Sequence, residues 1–436
     1  MGAKKWIFVL CAWGIPFALP SMEPGIKQER GAGEVKAVQY DNGDWELRVK
    51  NKPWFIRGVN YTPVWIGEDP GKLTMRDWTY YDENHNGKND LLYDVWLDKN
   101  GNNVQDPDEK PVGDFQILKE MGCNTLRAYH FPSNRPELGD VYKVNSGVQL
   151  QFGHAPNKEV LREISARYGM RFIIGNYVGS WTIGAGTTWE EGCDYTNSKH
   201  LENIRKSVRA MVEDSKDEPY ILFWMLGNEN NVATWSRCNA KEHKAEYYKF
   251  VNELAKMIHG MDPNHPVAIC EAFVSGDLFD YKKYLPDIDI FGFNTYNEAS
   301  GYAPLWKSAK SLVNRPVFLS EYGLFAYNSK DGVNEDQQLA NHRGAWSDIW
   351  ANRAGGNGAG NSIGGTPFDW LDRWYMNGQP DAQNPGTNPW PFGPDHIEHA
   401  EYWGLASMGN GKDNLFKRQL RKVCEFYREA WTRAAP

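Results

Sequence analysis

Two glutamates, each placed directly after an apolar run, are the residues whose type and position could do chemistry. Glu229 follows residues 223–228, FWMLGN, and Glu321 follows residues 317–320, VFLS. Burying a charged side chain beside an apolar run costs free energy, so such a residue is expected to be exposed to solvent or to have a function. A protonated and an ionised carboxyl group that face each other can cleave a glycosidic bond. The alternative is that the two glutamates are unrelated and solvated.

The elements that must position these glutamates follow a regular alternation. Short apolar runs alternate with amphipathic stretches of helical period, which predicts parallel strands joined by helical crossovers. We expect strands at 54–61, 124–129, 171–177, 220–226, 266–272, 289–296, 316–322 and 362–370, and helices at 113–122, 158–169, 201–215, 245–260, 277–285, 303–313, 335–353 and 415–433. Eight units predict an α/β fold of the (β/α)₈ TIM-barrel type, in which active sites form at the carboxyl ends of the strands. Glu229 and Glu321 would then share one mouth.

The barrel is expected to form one domain over residues 35–434. A short N-terminal β-hairpin should precede it, since apolar strands flank a turn at Asn42-Gly43. Residues 63–112 form a long insertion between the first barrel strand and the first helix, and such a length points to a functional or separately stabilised loop.

The N-terminus and the composition restrict the setting. Lys4 and Lys5 precede the apolar run 6–20, which predicts a signal peptide over residues 1–21 and a secreted or periplasmic protein. The alternative is a buried N-terminal segment. The run is too short to cross a bilayer comfortably, so we expect no membrane span in the mature protein. A net charge of −8 without a basic stripe argues against nucleic acid as a partner.

The cysteines leave one pairing open. Six are present, of which five follow residue 21, and no CxxC or Cys/His spacing predicts a zinc site. Cys193 and Cys238 follow successive strands and should lie on the same face of the barrel. A disulfide and two free thiols are both compatible with that placement.

The strand-end motifs resemble a known clan. LGNEN at 226–230, GFNTY at 292–296 and LSEYG at 319–323 are similar to the retaining (β/α)₈ glycoside hydrolases of the clan A type. The resemblance implies that Glu229 is the acid/base and Glu321 the nucleophile. It further implies that Asn228 holds the sugar 2-hydroxyl, that Tyr296 hydrogen-bonds the nucleophile and that Arg127 keeps it ionised.

The eighth strand adds a second resemblance. GGTPFDWLDRW at 364–374 is similar to the catalytic barrel of the β-galactosidase/β-glucuronidase family, although we expect no β-sandwich domains ahead of it here. This likeness implies that Trp370 is the sugar platform; the alternative is that it fills the core. His130 and Tyr177 also end strands on this face and are further candidate substrate contacts. SEYG and GVNY partly resemble β-1,3-glucanosyltransferases, and the chain also resembles cellulase-type barrels in part.

A second kind of site is predicted in the long insertion. Oxygen donors recur at positions 1, 3, 5, 7, 9 and 12 of the run 98–109, which is the spacing of an EF-hand calcium loop. The expected ligands are Asp98, Asn100, Asn102, the carbonyl of Val104, Asp106 and Glu109. Asn103 occupies the position of the turn glycine, and asparagine tolerates the positive φ required there. The alternative is a solvated Asn/Asp cluster.

These observations favour a retaining glycoside hydrolase that cleaves β-linked glycosides or polysaccharides through a covalent glycosyl-enzyme. No cofactor is expected for catalysis, and calcium is expected as a structural ion. The partner would be an oligosaccharide or polysaccharide, whose sugar the sequence does not specify. Two alternatives stay open: a β-glucan transglycosylase and a catalytically inactive carbohydrate-binding barrel. A metal-dependent amidohydrolase would need His pairs that are absent from the sequence.

Overall fold

The computed structural model describes residues 25–72, 74–131, 156–232, 236–297 and 300–433, so the predicted signal peptide lies outside the described residues. The strands are β1 (Ile26–Arg30), β2 (Val35–Tyr40), β3 (Trp45–Val49), β4 (Lys52–Pro53), β5 (Ile56–Asn60), β6 (Trp96–Leu97), β7 (Thr125–Ala128), β8 (Arg171–Asn176), β9 (Ile221–Leu226), β10 (Val267–Ala272), β11 (Ile290–Asn294), β12 (Val317–Glu321), β13 (Tyr327–Asn328), β14 (Gly332–Val333), β15 (Ser362–Gly365), β16 (Asn388–Pro389), β17 (Ile397–Glu398), β18 (Ala406–Ser407) and β19 (Lys417–Leu420). The α-helices are α1 (Asp90–Tyr93), α2 (Asp114–Glu120), α3 (Lys158–Tyr168), α4 (Ser198–Ser215), α5 (Lys244–Met261), α6 (Asp277–Tyr284), α7 (Ala303–Leu312), α8 (Glu335–Ala351) and α9 (Lys422–Arg433).

Within the described residues, eight parallel strands close into a barrel in the order β5, β7, β8, β9, β10, β11, β12 and β15. The (β/α)₈ prediction is therefore confirmed. Closure occurs where β15 pairs with β5, through Gly364 opposite Ile56. Gly364 has a φ of +111°, and a Cβ there would lie 2.1 Å from the Ile56 carbonyl oxygen. Only glycine fits a backbone approach this close.

The barrel strands are buried on both faces, which explains why they read as continuous apolar runs rather than as alternating ones. All six residues of β9 are buried. Phe223 and Phe318 meet inside the barrel with ring centroids 5.4 Å apart. Trp224, which neighbours Phe223, belongs instead to the larger core between the strands and the helices. Each strand therefore packs against one core inside the barrel and another between the strands and the helices.

The N-terminal hairpin is part of a larger sheet than the sequence predicted. Strands β1 to β4 form a four-stranded antiparallel sheet, and its first strand lies before residue 35. Strand β1 has the sequence IKQER and is largely exposed, so it carries no apolar pattern that could predict it. Arg30 at its end forms a 2.9 Å ion pair with Asp289 beside the barrel.

The predicted C-terminal helix 415–433 is wrong in its first part, because residues 417–420 form β19 and the helix begins at Lys422. Strand β19 runs parallel to β6 of the long insertion. Arg418 is fully buried and pairs with Asp114 at 2.7 Å, which holds it where a helix turn would expose it. Breaking such a buried pair typically costs ~3–5 kcal/mol. The insertion is thus joined through β6 to the C-terminal segment of the chain.

Among the described residues, no helix is both long and apolar enough to cross a membrane.

Candidate active site

The carboxylate of Glu321, the last residue of β12, lies at the centre of the barrel mouth. Arg127 Nη1 donates to its Oε1 at 2.9 Å, and the Tyr129 hydroxyl donates to the same oxygen at 2.7 Å. The Tyr296 hydroxyl donates to Oε2 at 2.6 Å. An ionised carboxylate satisfies all three donors, so the arrangement holds Glu321 as an oriented anion.

Arg127 is the cation beneath this site. Its side chain is completely buried in β7, and Nη1 also donates to Asn60 Oδ1 at 3.0 Å and to the Ser320 carbonyl at 2.8 Å. Its Nη2 donates to Asn228 Oδ1 at 2.6 Å. One guanidinium therefore joins the strand that carries Glu321 to the turn that carries Glu229.

The amide of Asn228 is oriented from below. Its Oδ1 accepts from Arg127 and, at 3.1 Å, from Asn294 Nδ2. With the oxygen engaged by two donors, the Nδ2 group is directed away from them. An amide N–H fixed in this way can donate to a hydroxyl of a bound ligand.

Glu229 stands in a different environment from Glu321. It follows Asn228 in a turn after β9, is half-buried, and has a left-handed φ of +57°. Burial, and next the negative charge of Glu321, raise the pKa of Glu229, while a hydrogen bond with Asn294 opposes the rise. The surroundings of Glu229 thus favour its protonated form, whereas the three donors around Glu321 favour an ionised carboxylate. Two carboxyl groups with different environments can divide acid and nucleophile roles between them.

The turn that carries Glu229 is held by the two asparagines that follow it. Asn230 Oδ1 accepts the Asn228 N–H at 2.9 Å, and its Nδ2 donates to the Tyr195 hydroxyl at 2.9 Å. Asn231 binds the opposite side, where its N–H donates to Glu271 Oε2 at 2.9 Å. Sequence reasoning assigned no role to either residue, although three asparagines around one glutamate, NENN, were a visible signal.

His130 and Tyr177 lie behind the site. Their rings are parallel with centroids 5.5 Å apart, and Tyr177 also stacks on Tyr129 at 6.2 Å. Burial lowers the pKa of His130 to about 3, so its imidazole is neutral. Both residues support Tyr129, which sequence reasoning did not select although it ends the predicted strand 124–129. A direct substrate contact of His130 or Tyr177 stays a prediction.

The predicted platform, Trp370, is not presented at this mouth. Its side chain is 1% exposed and belongs to the main core. Strand β15 ends at Gly365, so alternation of faces along a strand does not apply to residues 366–370. Phe368 contacts the site instead, with its ring centroid 6.5 Å from Tyr296 and 5.4 Å from Trp403. Trp390 also meets Tyr296, at 5.4 Å.

Cys193 and Cys238 lie next to each other, as the sequence predicted. An isolated parallel bridge joins them, with the Cys193 N–H donating to the Arg237 carbonyl at 2.7 Å. Both thiols are free in this structure. A disulfide between them stays a prediction.

The loop 98–109 closes on itself through its own side chains. Asp98 accepts the Asn102 and Asn103 N–H groups at 3.2 and 2.9 Å. Asn103 has a φ of +63°, as expected for the turn position. The amides of Asn100 and Asn102 donate to Asp106 at 2.8 and 3.0 Å. Glu109 Oε1 accepts the Lys99 N–H at 2.7 Å.

These residues fit a cation only in part. The loop supplies carboxylate, amide and carbonyl oxygens of the kind that calcium prefers. In the part of the chain that the structure describes, however, no group of three or more His, Cys, Asp and Glu side chains is arranged to hold a metal ion. Val104, whose carbonyl is the predicted seventh-position ligand, is exposed.

Comparison with protein families gives a match to "Glycosyl hydrolases family 2, TIM barrel domain" over residues 140–357, half of the 436-residue chain. Among curated proteins, the chain is 22% identical over 331 residues to a probable mannan endo-1,4-β-mannosidase F of Aspergillus flavus, covering 65% of each protein. It is 27% identical over 257 residues to mannan endo-1,4-β-mannosidase F of Aspergillus fumigatus, covering 48% of this chain and 55% of that protein. The chain therefore spans less than two thirds of these relatives' length.

Solved structures share the fold. A β-D-glucuronidase of Dictyoglomus thermophilum has a TM-score of 0.52 at 16% identity, and the alignment covers 95% of this chain and 55% of the glucuronidase chain. A Bacteroides uniformis β-glucuronidase has a TM-score of 0.52 at 16% identity, and the alignment covers 92% of this chain and 40% of the glucuronidase chain.

Proposed function

Because the chain belongs to the TIM-barrel domain family of glycosyl hydrolases family 2, we propose that it is a retaining β-glycosidase with Glu321 as nucleophile and Glu229 as acid/base. The observation that carries this proposal is the contrast between the two carboxyl groups. Glu321 accepts three hydrogen bonds from Arg127, Tyr129 and Tyr296 as an anion. Burial and the Glu321 charge raise the pKa of Glu229, so that it holds a proton.

In the first step, a carboxylate oxygen of Glu321 attacks the anomeric carbon while the bond from that carbon to the glycosidic oxygen breaks. Glu229 gives its proton to the departing oxygen, so the aglycone leaves as an alcohol. The products are a glycosyl ester on Glu321 and an ionised Glu229. The Asn228 Nδ2 is placed to donate to a hydroxyl next to the reacting carbon, since its oxygen is held by Arg127 and Asn294.

In the second step, Glu229 takes a proton from water, and the water oxygen attacks the anomeric carbon and releases Glu321. Glu229 can act as a base because the ester on Glu321 is neutral, which removes one of the causes that raised the pKa of Glu229. The two inversions together retain the anomeric configuration. Arg127 and the two tyrosines are then free to receive the carboxylate again.

The proposed substrate is a β-linked polysaccharide or oligosaccharide, and β-1,4-mannan is the first polymer to test because the similar fungal proteins are mannan endo-1,4-β-mannosidases. The rings of Phe368 and Trp390, which are partly exposed near Tyr296, suit the apolar faces of sugars. A barrel that only binds carbohydrate would need neither the raised pKa of Glu229 nor the three donors on Glu321. We also propose export from the cytoplasm, on the strength of the signal-like sequence 1–21.

Substitution of each glutamate tests the roles. With phenyl β-glycosides and β-1,4-mannan, we expect Glu321→Ala to abolish turnover and Glu229→Ala to lower kcat/KM by about 10²–10⁴-fold. On a 2,4-dinitrophenyl β-glycoside, whose leaving group departs without a proton, added azide should raise the turnover of Glu229→Ala and give the β-glycosyl azide, because azide replaces water in the second step. In Glu321→Ala, azide replaces the nucleophile and should give the α-glycosyl azide. NMR identifies both products.

Glu425→Ala, on the exposed surface of α9, is the matched control and should leave kcat/KM unchanged. If the two active-site variants gave azides of the opposite configurations to those expected, the roles would be reversed. Full activity in either variant would refute the proposed function.

The pH dependence of kcat/KM follows from the raised pKa of Glu229. The acid must be protonated to donate, so activity should fall as pH rises through that pKa, well above the ordinary glutamate value of about 4.3. Glu229→Gln cannot lose a proton, so its residual activity should lack this alkaline limb. The measurement is the pH profile of kcat/KM for both proteins. An unchanged limb in Glu229→Gln would contradict the assignment.

We further propose that the loop 98–109 binds one calcium ion with a structural role. The loop keeps the positive φ at Asn103, and Asp98 accepts backbone N–H groups from the turn, as a first-position ligand does in such loops. Gln419 of β19 donates to Asp98 at 2.7 Å, so the loop is joined to the strand that precedes the C-terminal helix and its order should affect global stability.

Chelation tests the calcium proposal. We expect EDTA to lower Tm and added Ca²⁺ to restore it, while Asp98→Asn should have a lower Tm and no further response to EDTA. Differential scanning calorimetry, with elemental analysis of the purified protein, provides the measurement. An EDTA-insensitive Tm together with no bound calcium would show that the loop is a solvated turn cluster.

A further inference from the structure

A third glutamate lies behind the catalytic turn, and the mechanism above does not use it. Glu271 belongs to β10, where Cys270 faces the inside of the barrel and its Sγ meets Arg127 Nη2 at 3.2 Å. Neighbouring residues of a strand face opposite sides, so Glu271 faces outward toward α5. Its side chain is completely buried there.

The carboxyl group of Glu271 has two protein partners. The Tyr247 hydroxyl of α5 donates to Oε1 at 2.5 Å, and the Asn231 N–H donates to Oε2 at 2.9 Å. Burial is the main cause that raises the pKa of Glu271 to about 8. A carboxyl group in an apolar layer is costly, so its retention between a strand and a helix calls for a specific contact that it makes.

That contact is with the turn that carries Glu229. Asn231 is joined to β10 by more than the Glu271 bond, since its Oδ1 accepts the Ala272 N–H at 3.1 Å and its Nδ2 donates to the Ala272 carbonyl at 2.9 Å. Its Nδ2 also donates to Asp277 Oδ2 at 2.9 Å. The Glu229 N–H donates to the Cys270 carbonyl at 3.3 Å. The turn is therefore fastened to β10 on its outer side.

Glu229 needs such support because its backbone is left-handed, with a φ of +57°. A non-glycine residue in that region costs about 1–3 kcal/mol and persists only where the surroundings enforce it. Asn230 secures the turn toward Tyr195, and Asn231 secures it toward Glu271. Loss of one side would let the turn relax and change the direction of the Glu229 side chain.

We infer that Glu271 is a positioning residue for the acid/base: by accepting the Asn231 N–H from outside the barrel wall, it keeps the Glu229 carboxyl aimed at the glycosidic oxygen. The inference rests on the proposed function, because it takes Glu229 to be the proton donor. Glu271 itself touches no substrate. Its effect must therefore show in steps that need the proton, and not in the attack by Glu321.

Leaving-group dependence separates these effects. A 2,4-dinitrophenolate departs without a proton, whereas a phenolate needs one. We expect Glu271→Met, which fills similar volume without accepting a hydrogen bond, to lower kcat/KM about 100-fold on the phenyl β-glycoside and less than about 3-fold on the 2,4-dinitrophenyl β-glycoside. Both glycosides carry the sugar that the wild-type enzyme hydrolyses. Glu271→Gln keeps an acceptor for Asn231 and should stay within about 3-fold on both.

Tyr247→Phe is the matched control, since it disturbs the same buried group but leaves the Asn231 bond intact. It should lower Tm without changing the ratio of the two kcat/KM values. If Glu271→Met does not fold, the double variant Glu271→Met/Tyr247→Phe removes both polar groups of this buried contact, still leaves the Asn231 N–H without its acceptor, and should show the same loss on the phenyl glycoside alone.

Equal losses on both glycosides in Glu271→Met, or in the double variant, would overturn the inference and leave Glu271 a stabilising residue only. Glu229→Ala, measured with the same pair, keeps this result separate from the proposed function. If Glu229→Ala shows the leaving-group split and Glu271→Met does not, only the inference fails. If neither shows it, the assignment of Glu229 as acid fails as well.

Discussion

The site depends on one buried cation. Arg127 has no exposed surface, and a buried guanidinium needs a matched charge and hydrogen-bond acceptors. Its Nη1 and Nη2 groups have acceptors, whereas its Nε has none among the residues that the structure describes. Glu321 supplies the charge, and Asn60, Ser320 and Asn228 supply acceptors. Because these partners come from different strands, the requirement to satisfy Arg127 fixes their relative positions. The Glu321 carboxylate is held in place by this pairing, and the other residues of the site are arranged around it.

The two glutamates acquire different roles from their surroundings and not from their chemical type. Glu321 ends a strand and meets three donors, whereas Glu229 follows a strand in a left-handed turn and is raised in pKa by burial and by the Glu321 charge. The barrel brings both to one mouth, since its parallel strands all end there. Residues outside the barrel wall also position Glu229, because the hydrogen bond from Asn231 to Glu271 holds the turn that carries it.

The barrel and the positions of its two glutamates could be predicted from the sequence, because the ends of the barrel strands can be recognised there. Continuous apolar runs define the barrel strands, and Glu229 and Glu321 were placed by their position relative to those runs. The roles of Arg127 and Tyr296 came from the resemblance of the strand-end motifs to the clan A glycoside hydrolases. Glu271 could not be recognised, since it sits inside the run VAICEA and its partner Asn231 is 40 residues earlier in the chain. Trp370 was taken as the platform from the likeness of residues 364–374 to the β-galactosidase/β-glucuronidase family, and that likeness does not show that β15 already ends at Gly365. Strand β19 was missed because its pairing with β6 is not local.

The most direct test of the account is to trap the glycosyl-enzyme. A 2-deoxy-2-fluoro-β-glycoside with a dinitrophenyl leaving group should label the enzyme once. The good leaving group keeps the first step fast while the fluorine slows the second step, so the glycosyl-enzyme accumulates. Intact mass spectrometry and peptide mapping should place the sugar on Glu321, and Glu321→Ala should not be labelled. A label on Glu229, or turnover of the reagent without any covalent adduct, would contradict the account.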